Sequence, residues 1–130
     1  MELEKQLLLC ANSVRQAMVA KYGSNLCGKC IETSDRIIAL LSEIGIKAAA
    51  VEGWCVYEDD SSCTDRCYDE HTWVDCHGYY VDVTADQFNS CMFTDLASVI
   101  VSPQKPDCMV LEEPEYKWLE DRECKEKLFK

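Results

Sequence analysis

The stretch HTWVDCHGYYVDVT, residues 71–84, constrains the fold more than any other part of this chain. Two runs rich in β-branched and aromatic residues flank the dipeptide His77-Gly78. Such a dipeptide reverses a chain in two residues, because glycine takes up positive φ at no steric cost. A two-residue turn also fixes register: Cys76 faces Tyr79, Trp73 faces Asp82 and His71 faces Thr84. Side chains alternate across a strand, so His71, Trp73, Asp82 and Thr84 share one sheet face, with His71 and Asp82 as diagonal neighbours. A slip of one residue would send the aspartate to the other face. An aspartate that reaches a histidine ring fixes its tautomer and stabilises its protonated form.

Upstream of this hairpin the apolar residues recur at helical spacing. Leu3, Leu7, Cys10, Val14, Ala17 and Met18 predict a helix over residues 2–20, closed by Gly23. Cys30, Ser34, Ile37, Ile38, Leu41 and Ile44 predict a second over 29–44, ended by Gly45 in a left-handed conformation. Its small residues come first and its large ones last, as expected of a central helix whose first turn opens onto a cleft. Residues 47–57 then read as a strand and 58–70 as an acid-rich polar loop. Beyond the hairpin, 94–101 reads as a short helix capped by Thr94, 108–113 as an edge strand, and 114–130 as a terminal helix with proline in its first turn. Helices followed by strands imply an α+β fold, a central helix packed on an antiparallel sheet. No linker or repeat divides the chain, so residues 1–130 are expected to form one domain.

The charge balance limits the partners. Against 24 acidic residues stand 13 basic ones, a formal net charge of −11 at pH 7; nucleic acid, whose phosphates need clustered Lys and Arg, is an unlikely ligand. No apolar run approaches the roughly 18–20 residues needed to span a bilayer, so no membrane partner is expected. The N-terminal segment begins with acidic residues and lacks the pattern of an export signal, which favours a cytoplasmic location. In that setting the ten cysteines are expected to be mostly reduced thiols, several of them acting as small hydrophobes.

Cys27 and Cys30 stand just ahead of the second helix. A cysteine at a helix start feels the partial positive charge of the exposed amides there, and with an imidazolium beside it becomes largely thiolate. A zinc site from Cys27, Cys30, Cys63 and Cys67, with Cys76 or His77 as spare ligands, is an alternative, although the spacing of the second pair lies at the edge of the usual range. A thioredoxin-like redox pair would need a strand before the motif, where a helix is expected. Cys63 and Cys67 could also join as a disulfide under oxidation. Cysteine on a helix, then histidine and aspartate on later strands, is the plan of papain-like enzymes.

The segments GKCIETSDRIIALLSEIGIKAAAVEG and HTWVDCHGYYVDVTADQF resemble the transglutaminase-like branch of the papain-like cysteine protease superfamily. The likeness runs over about residues 26–88. In that family a Gly-x-Cys opens a helix that ends in a Leu/Ile-Gly-Ile turn, and a His-x-Trp-Val strand, a glycine turn and an Asp-x-Thr strand follow. The resemblance implies a papain-like (transglutaminase-like) core and a catalytic trio: Cys30 as nucleophile, His71 as base and Asp82 as the residue that holds the ring. Cys27, His77 and Asp75 are the competing choices. It implies acyl transfer on a peptide or isopeptide amide, as a peptidase, deamidase or transglutaminase-like enzyme, with no cofactor and no metal. The Cys30 amide would be one oxyanion donor. Asn25 and Trp73 are substrate or oxyanion candidates, with Asn12 a further possibility. The expected partner is a protein or peptide substrate; the acidic loop reads as a solvated surface, with selection of a basic peptide or amine as the alternative. A non-catalytic interaction module on the same fold, or a zinc-binding module, is the competing function, and oligomeric state is left open.

Overall fold

The computed structural model describes residues 2–57, 67–91 and 95–113. Two α-helices, α1 (Leu3–Tyr22) and α2 (Cys30–Glu43), precede five strands: β1 (Ala49–Tyr57), β2 (Cys67–Cys76), β3 (Tyr79–Asp82), β4 (Ile100–Ser102) and β5 (Met109–Val110). A 3₁₀ helix, Ala85–Cys91, separates β3 from β4. The strands form one antiparallel sheet in the order β4-β3-β2-β1-β5. The chain is therefore α+β, as expected. Among the described residues no helix is long and apolar enough to cross a membrane.

Each face of the sheet is buried by different means. On one face α1 contributes Leu7, Ala11, Val14 and Met18, and α2 contributes Ile37 and Leu41. They pack against Val74, Cys76, Val81 and Val83 of the sheet and the residue after β3. On the other face Cys55, Trp73, Tyr80 and Met109 pack with Ala85 and Phe88 of the 3₁₀ helix. Successive residues of β2 and β3 thus alternate between the two clusters, and His71 falls on the side of Trp73. Gly53 on β1 is an obligatory small residue. A Cβ there would lie 2.5 Å from Trp73 Cη2 and 2.5 Å from the Val110 carbonyl oxygen.

The helix ends follow from local chemistry. Gly23, at φ 84°, donates its amide to the Val19 carbonyl at 2.8 Å and stops α1. At the end of α2, Gly45 donates to Ser42 O at 3.0 Å and Ile46 to Leu41 O at 2.9 Å. These two bonds, with Gly45 at φ 80°, are the Schellman arrangement that satisfies otherwise orphaned carbonyls. Within the expected stripes, Ala17 and Ile44 are exposed, while Ala11 and Thr33 are buried.

Three expectations need correction. β2 starts at Cys67 rather than after the acidic stretch, because Cys67 to Glu70 pair with Tyr57 to Trp54 of β1; cross-strand pairing overrides the weak β-propensity of acidic residues. The short helix expected over 94–101 is not present in its described part: Ile100 and Val101 pair instead with Asp82 and Val81. The free edge of β3 recruits these β-branched residues. The β2–β3 ladder has the expected register, with Cys76 opposite Tyr79, but its pairing runs only to Val74 and Val81. Thr84 does not pair with His71; it turns back onto Asp82. Thr94, residues 58–66 of the acidic loop and the expected helix over 114–130 lie outside the described residues.

Candidate active site

Cys30 is the first residue of α2, and the turn before it is firmly built. Leu26 is buried in the core and its carbonyl accepts from Lys29 N at 3.0 Å. Gly28 at φ 79° supplies the left-handed step. Asn25 Oδ1 accepts from Cys27 N at 3.1 Å. The first turn of α2 is tied to the end of α1 by Tyr22 Oη, which donates to Glu32 Oε1 at 2.8 Å, and by Lys29 lying 4.2 Å over the Tyr22 ring.

His71 and Asp82 meet across the hairpin, as the register requires. His71 Nε2 lies 2.7 Å from Asp82 Oδ2, with side-chain exposures of 0% and 2%. A buried carboxylate is costly unless donors surround it, and here they do. Tyr80 Oη donates to the same Oδ2 at 2.5 Å. Thr84 donates both its amide, at 2.9 Å, and its hydroxyl, at 3.2 Å, to Oδ1. The Thr84 amide bond is a local side-chain-to-backbone closure of the Asx type; it turns the chain and ends β3. Arg15 of α1 supports this bend from outside, donating to Val83 O at 2.8 Å and forming a two-pronged pair with Asp86 at 2.9 and 3.0 Å. It reaches Ser24 O at 3.3 Å as well, so one guanidinium ties α1 to the segments that follow β3 and precede α2.

The other ring nitrogen of His71, Nδ1, is buried and has no hydrogen-bond partner. The Cys30 thiol and the His71 ring perturb each other's titration, with no hydrogen bond between Nδ1 and the sulfur. Catalytic hydrogen bonds are commonly long before substrate arrives. Burial works against a charged Cys30 sulfur, but interactions with the His71 ring and with the backbone and side chain of Thr72 outweigh it, so the thiol lies below its ordinary range. Burial also disfavours a charged His71. The hydrogen bond to Asp82, then the Cys30 interaction, reverse this and raise His71 to about 9. An acidic thiol beside a basic imidazole can exist as a thiolate–imidazolium pair, which is both a nucleophile and a proton donor.

The remaining candidates occupy different positions. Trp73 is buried, its ring 6.1 Å from that of His71 and 5.5 Å from that of Tyr80. Phe88 closes the opposite side with an edge contact at 5.1 Å. These two rings wall in the imidazole, leaving the half-buried Cys30 as the accessible member of the trio. Asn25 shapes the turn before α2 through its side-chain oxygen, and Asn12 is exposed on α1. Of the competing choices, Cys27 is exposed, His77 sits in the hairpin turn at φ 51° and Asp75 is exposed on β2. For the zinc alternative, Cys63 and the Cys67 side chain lie outside what is described; among the described residues no group of three or more His, Cys, Asp or Glu could hold a metal ion. Sequence reasoning missed Tyr80 and Arg15 as supports. Tyr80 could have been found, since it stands two residues from Asp82 and hence on the same face. Arg15, on a helix far away in sequence, carried no such signal. In comparisons with known proteins, no family model, no curated protein and no solved structure matches this chain.

Proposed function

We propose that this chain is a cysteine-dependent acyl-transfer enzyme, with a papain-like core of the transglutaminase-like type, acting on a peptide or isopeptide amide. The observation that carries the reading is His71 itself. One nitrogen is bound to a fully solvated-by-protein carboxylate, and the other is buried, unpartnered and beside a thiol at a helix start. A purely structural histidine has no reason to keep that second nitrogen free, because an unpaired buried polar atom costs about 1–3 kcal/mol.

The chemistry follows in two halves. The Cys30 thiolate adds to the amide carbonyl carbon, and the resulting oxyanion is held by the backbone amides at the start of α2, which have no partners within the helix. His71 gives its Nδ1 proton to the leaving amine as the carbon–nitrogen bond breaks, and a thioester remains on Cys30. Water or a second amine then attacks the thioester and loses its proton to His71, restoring thiolate and imidazolium. Asp82 keeps the ring oriented and favours its charged form throughout. Hydrolysis, deamidation and transamidation differ only in which amide is attacked and which nucleophile resolves the thioester. The net charge of −11 and the exposed Asp69 and Glu70 on β2, just before His71, favour a substrate with a basic side chain or amine near the scissile bond.

The test is thiol reactivity mapped by site. At pH 7 a chloroacetamide-bearing basic peptide is expected to alkylate Cys30 at least tenfold faster than Cys10 or Cys76, whose thiols burial pushes up. His71→Ala is expected to abolish the difference. Equal labelling of Cys30 and Cys27, unchanged by His71→Ala, would overturn the proposal.

A further inference from the structure

A second pair of thiols lies in the cluster on the Trp73 face of the sheet, unused by the acyl chemistry. Cys55 is fully buried near the end of β1 and pairs across the ladder with Met109 of β5. Cys108 immediately precedes β5, and its carbonyl accepts from Val56 N at 2.8 Å. Both side chains belong to one apolar cluster, Cys55 at its centre and the half-buried Cys108 against it. Cys108 lies one step off the register of Cys55 and just outside β5, and its side chain packs against the cluster that holds Cys55 instead of following the strand alternation. We infer that Cys55 and Cys108 are a reversible disulfide site, which closes under an oxidising low-molecular-weight disulfide and staples β5 to β1. The inference does not rest on the proposed acyl-transfer activity.

The environment divides the labour between the two sulfurs. Cys108 is lowered to about 7, first by the neighbouring Cys55 thiol and also by the charges of His71 and Lys105. Lys105 is held over this corner by its ammonium bond to Met109 O. Cys55 is pushed up, first by the neighbouring Cys108 and next by its own burial. Cys108, partly exposed and ionised near neutral pH, is thus the sulfur that an oxidant meets. Its thiolate attacks one sulfur of the small disulfide. The old S–S bond breaks, a mixed disulfide forms on Cys108, and one small thiolate leaves and takes up a proton. The negative charge beside Cys55 has then gone, so Cys55 ionises more readily. It gives up its proton to solvent, attacks the Cys108 sulfur and expels the second small thiolate. Counted from the two thiols, two electrons and two protons leave the protein, the first proton when Cys108 ionises and the second when Cys55 does, and the oxidant becomes two thiols. A staple suits this place, because β5 is a two-residue strand at the sheet edge.

The experiment equilibrates the full-length chain in graded mixtures of oxidised and reduced glutathione, quenches free thiols with acid and alkylating agent, and maps linkages by non-reducing proteolysis and mass spectrometry. The expected result is a peptide pair joined through Cys55 and Cys108, two hydrogens lighter than the free peptides, at ratios where Cys10 and Cys76 remain thiols. Cys55→Ala is expected to trap glutathione on Cys108, since the resolving sulfur is missing. Cys108→Ala is expected to leave Cys55 reduced. A persistent glutathione adduct on Cys108 of the parent chain with Cys55 free would overturn the inference. So would Cys108 linked to any other cysteine, or both residues left as thiols throughout. None of these results decides whether reduced Cys30 is selectively alkylated, so this inference and the proposed function fail separately.

Discussion

Replacing Asp82 by asparagine tests the electrostatic heart of the site. Asn keeps the size of the side chain and can still accept from Thr84 at the Oδ1 position. It then presents an amide NH₂ where Oδ2 accepted from His71 and Tyr80. The ring must answer with an acceptor, so its proton moves to Nδ1 on the Cys30 side and the neutral tautomer is locked in. In the parent chain His71 is raised from 6.5 to about 9, which corresponds to about 3 kcal/mol of preference for the protonated ring. In Asp82→Asn the largest remaining influence is burial, which acts downward, so His71 is expected to titrate below 6.5. Because the folded value is raised, its contribution to stability is complete below about pH 6.5 and disappears as pH rises through about 9. The stability difference between parent and variant should therefore be largest near pH 6 and shrink by about 3 kcal/mol by pH 10. Nuclear magnetic resonance titration of the ring protons reads the first quantity, and the chain has only two histidines, so the signals lost in His71→Ala assign the ring. Urea denaturation at several pH values reads the second; in a Cys30→Ser background the gap is expected to be smaller, because Cys30 contributes to the rise of His71. A parent His71 that titrates near 6.5, or a stability gap that does not change with pH, would refute the reasoning.

Two further perturbations probe the supports of the site. Tyr80→Phe removes one of the two donors to Asp82 Oδ2; it is expected to cost about 1–2 kcal/mol in urea denaturation and to raise the His71 titration further, because the carboxylate oxygen then serves the ring alone. Gly53→Ala places a methyl 2.5 Å from both Trp73 Cη2 and the Val110 carbonyl oxygen. A backbone atom cannot yield as a flexible side chain can, so a loss of about 1–3 kcal/mol is expected, and an unchanged urea midpoint would show that β5 is free to shift.

The parts of this architecture that could be read from the sequence are those governed by local rules. The His77-Gly78 turn and the two-residue period of the strands sufficed to bring His71 to Asp82, and the apolar spacing with Gly23 and Gly45 sufficed for both helices. The parts that could not be read depend on distant partners. Cys67 to Glu70 carry no strand pattern of their own and become strand because β1 lies alongside. Ile100 and Val101 fit either a helix or a strand until the edge of β3 selects the latter. At the site, the length of the β2–β3 ladder was overestimated because the sequence does not reveal that Asp82 will capture the Thr84 amide. The face of Tyr80 follows from the same alternation that places Asp82, but its role does not, because a buried tyrosine reads equally well as packing until its hydroxyl is seen to point at a carboxylate.

The hairpin that joins His71 to Asp82 spans only 11 residues between them, whereas Cys30 arrives on a helix much farther back in the chain. Closing a short hairpin takes about 1–10 μs, while contacts of greater sequence separation must first overcome a larger loop-closure entropy. During folding the base therefore meets its carboxylate early, and the sulfur joins them only when α2 docks on the sheet. Until that moment Cys30 is an ordinary thiol, no more dangerous to its surroundings than the other nine. Under the proposed function its thiol is lowered only once His71 and Thr72 lie beside it, so the rate of Cys30 labelling in a refolding time course is expected to follow the docking of α2 on the sheet.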